Sequence, residues 1–370
     1  MKNVLERAVE NRTDEKIAEF NAMQKMDYDF KVRHAEETAW RFFEAPEIAG
    51  KCYVSVGGLD SITLLLFLRS IGIDVPAVSV SVLEDKSIQT IHKKLGVQAL
   101  KPLKSKVEVI REFGWPVLSK EIAGKISLLQ NPSEKNATVR HAIITGETGA
   151  YGGYRKGTRM KLAQRWLEKF GGYENEAENV HYQTPDFRVS DKCCYYLKEK
   201  PCSDYAKETG RFPYMGLMAS EGGRRKKALM INGCNYISPG TKRSAPFAIF
   251  SRQDLLQLAL DLQTPVPEIY GEIVRDPDGT LRTTEAQRTG CAMCGFGIHL
   301  EKRPHRFDRL WERSPREWDM WMNHVDQLPN GSWYGWGHVL DYIRVEWREP
   351  WRQFETQIEL EDLCPKRQPC

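Results

Sequence analysis

No stretch of this 370-residue chain runs apolar for long. The longest such run, around Leu64 to Leu68, is far short of the ~20 residues a membrane helix needs, which excludes a spanning segment. The first residues, Met1 to Arg7, are charged and lack the apolar centre of a secretory signal, so a cytoplasmic location is expected. An excess of one charge sign is also missing. With 54 Lys and Arg against 50 Asp and Glu, the net charge of +4 neither demands nor excludes a nucleic-acid partner. Internal repeats and low-complexity tracts are absent as well. What remains is a chain with 41% hydrophobic and 28% charged residues, ample for one large or two modest folded domains. Its nine cysteines are an odd number, so they do not all pair within one chain, and in a cytosolic setting clustered thiols read as metal ligands or reactive groups.

Residues 1 to 48 carry helical spacing at Ile17, Phe20, Met23 and Met26 and read as a helical N-terminal extension. At Lys51 the pattern changes. Cys52 to Val56 is a short β-prone run, Gly57 to Ser61 a tight polar turn, and Ile62 to Ile71 an apolar helical stretch. A second buried strand is expected over Val75 to Val82, a helix over Lys86 to Leu95, and another strand near Val97 to Leu100. Strands alternating with helices in this way predict an α/β fold with a doubly wound parallel sheet. Residues 131–187, rich in Gly, Tyr, Lys and Arg, read as an insertion with a helix from Lys161 to Phe170. A further αβ unit is expected from Tyr214 to Asn232, and a capped helix from Ser251 to Leu262. From Trp311 onward seven of the ten tryptophans gather in a helical tail, where packing explains them better than base stacking. The domain limits are therefore 1–48, 49–300 and 301–370.

The turn Gly57-Gly58-Leu59-Asp60-Ser61 joins a strand to a helix, where glycines let amide groups approach an anion and the helix N-terminus adds partial positive charge. Neither G-x-x-x-x-G-K-[ST] nor G-x-G-x-x-G fits it. With Ser55 and Val56 before it, the segment resembles the S-G-G-x-D-S pyrophosphate loop of the adenine nucleotide α-hydrolase superfamily, which includes ATP pyrophosphatases and phosphoadenosine phosphosulfate (PAPS) reductases. Gly57, Gly58, Asp60 and Ser61 match. Val56 holds the place of the first serine, whose hydroxyl Ser55 is placed to supply.

Cys193-Cys194 and, much later, Cys291-x-x-Cys294 supply four thiols, the donor set of zinc or an iron–sulfur cluster. Adjacent cysteines followed by C-x-x-C resemble the [4Fe–4S] motif of the sulfonucleotide reductases, so the resemblance implies that cluster, with zinc as the alternative. Cys202 and Cys234 are alternates for one of the four. Gly216, Glu221 and Arg225 match the family stretch G-x-R-x-x-E-S-x-x-R, which lies near the nucleotide, whereas Met218 and Gly222 depart from it. Gly290 and Gly295 flank the C-x-x-C turn, where backbone N–H groups are expected to reach cluster sulfurs. His299 and His305, among Lys302, Arg303, Arg306 and Arg309, read as surface or phosphate contacts.

The resemblance, carried by the order of these motifs from Lys51 to Phe296, implies an enzyme of the PAPS reductase family. It would bind an adenine nucleotide (PAPS, adenosine phosphosulfate or ATP, with Mg²⁺ if ATP) at Ser55, Gly57, Gly58, Asp60, Ser61, Glu221 and Arg225. A thiolate would attack the phosphosulfate sulfur, and a thioredoxin-like protein would supply the reducing equivalents. The family's tail motif Glu-Cys-Gly-Leu-His is missing, which leaves Cys364 and Cys370 as candidates by position. Two alternatives stay open. One is an ATP-dependent sulfurtransferase that adenylates an acceptor such as nucleic acid, with sulfur from a cysteine desulfurase; the basic segment with Tyr151, Tyr154, Arg155, Lys156, Arg159, Lys161 and Arg165 would meet it. The other is a non-catalytic sensor that binds both nucleotide and cluster. Oligomeric state is not legible.

Overall fold

The computed structural model describes residues 4–147, 160–174 and 181–348. Two compact units divide the chain: residues 1–104 with 194–292, and residues 105–193 with 293–370. No helix among the described residues is long and apolar enough to cross a membrane.

The first unit opens with helices α1 (Val4–Met23) and α2 (Tyr28–Glu44), the latter started by Asp27, whose carboxylate accepts the Phe30 amide at 2.7 Å. Alanines 35 and 39 and Phe42 form the buried stripe of α2, and the Tyr214 hydroxyl donates to the Ala39 carbonyl at 2.7 Å. The extension is thus sewn into this unit. Its anchor is an ion pair, Lys31 to Asp254 at 2.8 Å, between side chains 7% and 12% exposed.

Strands β1 (Cys52–Ser55), β2 (Ala77–Ser79), β3 (Gln98–Ala99), β4 (Phe212–Met215), β5 (Asn235–Ser238) and β6 (Thr241–Ser244) form one sheet in the order β3-β2-β1-β4-β6-β5. All neighbours are parallel except β5 and β6. The parallel-dominated α/β class expected from the alternating pattern is therefore what the chain adopts, and the antiparallel edge hairpin is the addition. Helix α3 (Leu59–Ser70) follows β1 and is apolar on almost every side because it is covered on almost every side: Leu59, Ile62, Leu64, Leu65, Phe67 and Leu68 are all buried. Helix α4 (Lys86–Lys94) links β2 to β3, capped by Asp85. The strand expected over Val75 to Val82 is shorter than its apolar run, because the chain turns at Ser81–Leu83. The capped helix expected from Ser251 spans Arg252–Asp261, with Ser251 and Asp254 forming a reciprocal capping box.

The second unit is helical, with a short antiparallel pair of Asp326–Gln327 and Trp333–Tyr334. Its core draws on the segment read as an insertion and on the tryptophan-rich tail together: Trp115, Trp166, Phe170, Phe307, Trp318 and Trp336 share one apolar cluster. Trp115 and Trp336 meet edge to face with centroids 4.8 Å apart. Trp333 alone among the described tail tryptophans is markedly exposed, at 51%. The helix expected over Lys161 to Phe170 begins at Gln164.

Candidate functional site: an anion loop at the end of β1

In sheets of this kind ligands bind beyond the carboxyl ends of the strands, where neighbouring strands leave in opposite directions along the sheet. That point here is β1 and β4, because β2 and β3 continue to one side of β1 while β4 begins the other. Both strands end in glycine turns that touch. A Cβ on Gly216, just past β4, would lie 3.1 Å from the backbone of Asp60 and Ser61, so the β4 exit packs tightly against the first turn of α3.

The two loop glycines differ. Gly58 is extended, at φ −77° and ψ −164°, so conformation does not demand glycine there. Space does: a Cβ would sit 2.2 Å from the Tyr270 hydroxyl and 2.9 Å from Thr289 Oγ1. At Gly57 a Cβ would meet only ordinary contacts, 3.7 Å from Glu84 Oε1 and 3.8 Å from Ser61 Oγ.

The loop amides are not all open. Gly57 N–H donates to Ser61 Oγ at 2.6 Å, and that hydroxyl donates to the Gly58 carbonyl at 2.9 Å. Leu59 N–H donates to the Tyr270 hydroxyl at 3.1 Å, which in turn meets Thr289 Oγ1 at 2.7 Å. The amides of Gly58 and Asp60 have no acceptor among the described residues. Two donors at the N-terminus of a 12-residue helix are what this loop presents to an anion.

Asp60, Glu84 and Glu221 are each paired with a cation. Asp60 accepts from Arg252 at 2.6 Å, and Arg252 also reaches the Gln287 carbonyl at 3.0 Å while its Nε stays buried without a partner among the described residues. Glu84, 5% exposed, receives Lys198 at 2.6 Å. Glu221, 7% exposed, receives Arg225 at 2.5 Å and lies 3.6 Å from Arg288. Burial raises the Asp60 pKa; Arg252 opposes the rise and Glu221 adds to it. A carboxylate raised in the folded state stabilises below its unfolded value near 3.8, and that contribution is lost as pH rises through the folded value. Ionised Asp60 therefore contributes less to stability at neutral pH than its protonated form does at low pH.

The cysteines are placed as follows. Burial works against the Lys198 ammonium, but Glu84 and then Cys291 overcome it and hold its pKa above the ordinary lysine value. Burial raises the Cys202 thiol pKa, with Ser55 and Lys198 opposing the rise. Cys234 lies 3.7 Å from His34 of α2, its pKa pushed up by burial to about 11. Cys194 and Cys291 belong to the first unit, Cys193 and Cys294 to the second, and none of the described cysteines is in a disulfide. Among the described residues no group of three or more His, Cys, Asp or Glu side chains is placed to hold a metal ion. Cys364, Cys370, Tyr151, Tyr154, Arg155, Lys156 and Arg159 lie outside the described residues.

At Gly295 the structure supplies a packing reason for glycine, since the Trp336 ring would lie 2.1 Å from a Cβ there. One expectation changes. His305 is not at the surface: it is 2% exposed, caps the helix Arg306–Arg313 and meets the Glu346 carbonyl at 2.9 Å through Nε2. The sequence reading passed over Tyr270, Thr289, Arg252, Ser81 and His92. Nothing near them in sequence ties them to the glycine turn; Tyr270 is 211 residues from the amide it caps.

No protein-family model matches the chain, and no curated protein matches it. Among solved structures it is similar to a phosphoadenylyl-sulfate (PAPS) reductase from Candida auris in complex with phosphate, at 13% identity and a TM-score of 0.33, over 66% of this chain and 89% of that one.

Proposed function

We propose that the chain is a sulfonucleotide reductase-like enzyme that holds the phosphates of PAPS or adenosine phosphosulfate at the Gly58 and Asp60 amides. One observation carries the choice of ligand: Asp60, Glu84 and Glu221 are already neutralised by Arg252, Lys198, Arg225 and Arg288. A Mg²⁺–ATP site needs carboxylate oxygens free to meet the metal. A metal-free phosphosulfate is better served by guanidinium and ammonium groups, so the arrangement favours it over the ATP-dependent sulfurtransferase. The order of the glycine loop, Cys-Cys, Gly-x4-Glu and C-x-x-C supports the same class.

In the proposed reaction a cysteine thiolate attacks the sulfur of the phosphosulfate. The S–O bond to the nucleotide phosphate breaks, and the phosphate leaves with the electron pair. A thioredoxin-like dithiol then reduces the enzyme S-sulfonate, releasing sulfite and becoming a disulfide. Cys364 and Cys370 are the thiols proposed for attack. Loop amides and the surrounding cations stabilise the charge that gathers on the leaving phosphate.

A [4Fe–4S] cluster on Cys193, Cys194, Cys291 and Cys294 is proposed from the thiol motif alone, zinc being the alternative. No step of the proposed reaction runs through the cluster. Anaerobically purified protein is expected to be brown, absorbing near about 400 nm, and to release sulfite from PAPS with thioredoxin. Turnover of ATP to AMP without sulfite would replace this reading by sulfur transfer; tight nucleotide binding without turnover would replace it by a sensor.

A further inference from the structure

The Gly57–Gly58 peptide is the least constrained link in the loop, because no side chain on either residue resists a rotation of its plane. Such a flip would turn the Gly58 N–H, one of the two open donors, to the opposite side. Something must hold it. His92, on the last turn of α4 and only 1% exposed, places Nε2 2.8 Å from the Gly57 carbonyl, and its Nδ1 lies 2.9 Å from Ser81 Oγ in the turn after β2.

The hydrogen positions follow from what each partner can do. A carbonyl only accepts, so Nε2 carries the proton; neutral Nδ1 then accepts from the Ser81 hydroxyl. Burial lowers the His92 pKa, with Lys198 adding to the effect and the Gly57 carbonyl and Glu84 opposing it, in keeping with a neutral ring. The peptide is trans, so its N–H points opposite to its C=O. A carbonyl pinned to His92 therefore aims the Gly58 N–H away from His92.

We propose that His92, set in one tautomer by Ser81, is a positioning residue that locks the Gly57–Gly58 peptide in the orientation that offers the Gly58 N–H to a phosphate. This rests on the reading of the loop as a nucleotide-phosphate site, and the test separates the two. The probes are inorganic pyrophosphate, PAPS and adenosine, titrated calorimetrically. His92→Leu is expected to weaken pyrophosphate and PAPS by ~10-fold, the worth of one amide hydrogen bond, and to leave adenosine unchanged. His92→Gln, which carries an N–H donor at nearly the reach of Nε2, should recover affinity to within ~3-fold of the parent, and Ser81→Ala should cost ~3-fold.

Equal binding of pyrophosphate by the parent and His92→Leu overturns the proposal while leaving the nucleotide site standing. Equal weakening of adenosine and pyrophosphate also overturns it, since that marks a general structural role. A parent protein that binds neither PAPS nor pyrophosphate removes both the site and the proposal. Should His92→Leu fail to fold, Ser81→Ala and His92→Gln decide: the predicted ranking supports the proposal, and no loss in Ser81→Ala overturns it.

Discussion

Gly58→Ala is expected to weaken PAPS binding by ~100-fold, whereas Gly57→Ala should change it by no more than ~2-fold. Both are single methyl additions to a glycine pair, so flexibility arguments would treat them alike. The difference is what each methyl meets. At Gly58 it would press on the Tyr270 hydroxyl and Thr289, and something must shift. Tyr270 is 3% exposed and tied to the Leu59 amide, so its ring has little freedom to withdraw. The backbone yields instead, moving the Gly58 and Asp60 amides, at an overpacking cost of about 1–3 kcal/mol. At Gly57 the methyl meets atoms at ordinary van der Waals distance. Calorimetric titration of PAPS, with the thermal midpoint measured alongside, separates lost binding from lost fold.

Arg252→Ala should be nearly as damaging. Arg252 is bonded both to Asp60 and to the Gln287 carbonyl, and it holds the charge next to the loop in balance. Its removal leaves the Asp60 carboxylate unpaired beside the place proposed for a polyanion. PAPS affinity is expected to fall ~30-fold, and stability by about 2 kcal/mol, discounted from the range for fully buried pairs because both side chains are about a quarter exposed. The sign of the pH effect is set as well. Burial already raises the Asp60 pKa, and loss of the opposing cation raises it further. The pH range over which stability is lost on raising the pH therefore widens upward, which a carboxyl-carbon NMR titration of Asp60 in the two proteins would show. Arg252→Lys should keep part of the charge effect but not both hydrogen bonds.

How much of this was legible in the sequence follows from the range of the interactions. The strand, turn and helix at Cys52 to Ser70 can be read because the apolar run, the glycines and the next apolar run are contiguous, and short-range patterning decides them. The helix at Arg252–Asp261 is legible for the same reason, through a capping box four residues long. The antiparallel edge of β5 and β6 was not, since its strands are polar and half exposed and carry no apolar alternation. Nor was the shared core of the second unit, which joins residues 105–193 to those after 292 through tryptophans whose partners lie far away in the chain.

At the site the glycine turn was readable and its surroundings were not. Tyr270 sits in a segment with no chemical mark of its own and Thr289 beside the C-x-x-C turn, and only folding brings them over Gly58. The distinction between Gly57 and Gly58 depends wholly on those neighbours. Likewise, the motif marks Asp60 in the sequence but not its partner Arg252, 192 residues later.

The account stands on the Gly58 and Asp60 amides as the donors that meet the nucleotide phosphates. Amide nitrogen–proton NMR spectra recorded while PAPS is added test this directly. The expected result is a saturable downfield shift of the Gly58 and Asp60 amide protons, with those of Gly57 and Leu59, already bonded to Ser61 and Tyr270, moving little. PAPS bound with the Gly58 and Asp60 signals unmoved, or the largest shifts lying away from the end of β1, would contradict it.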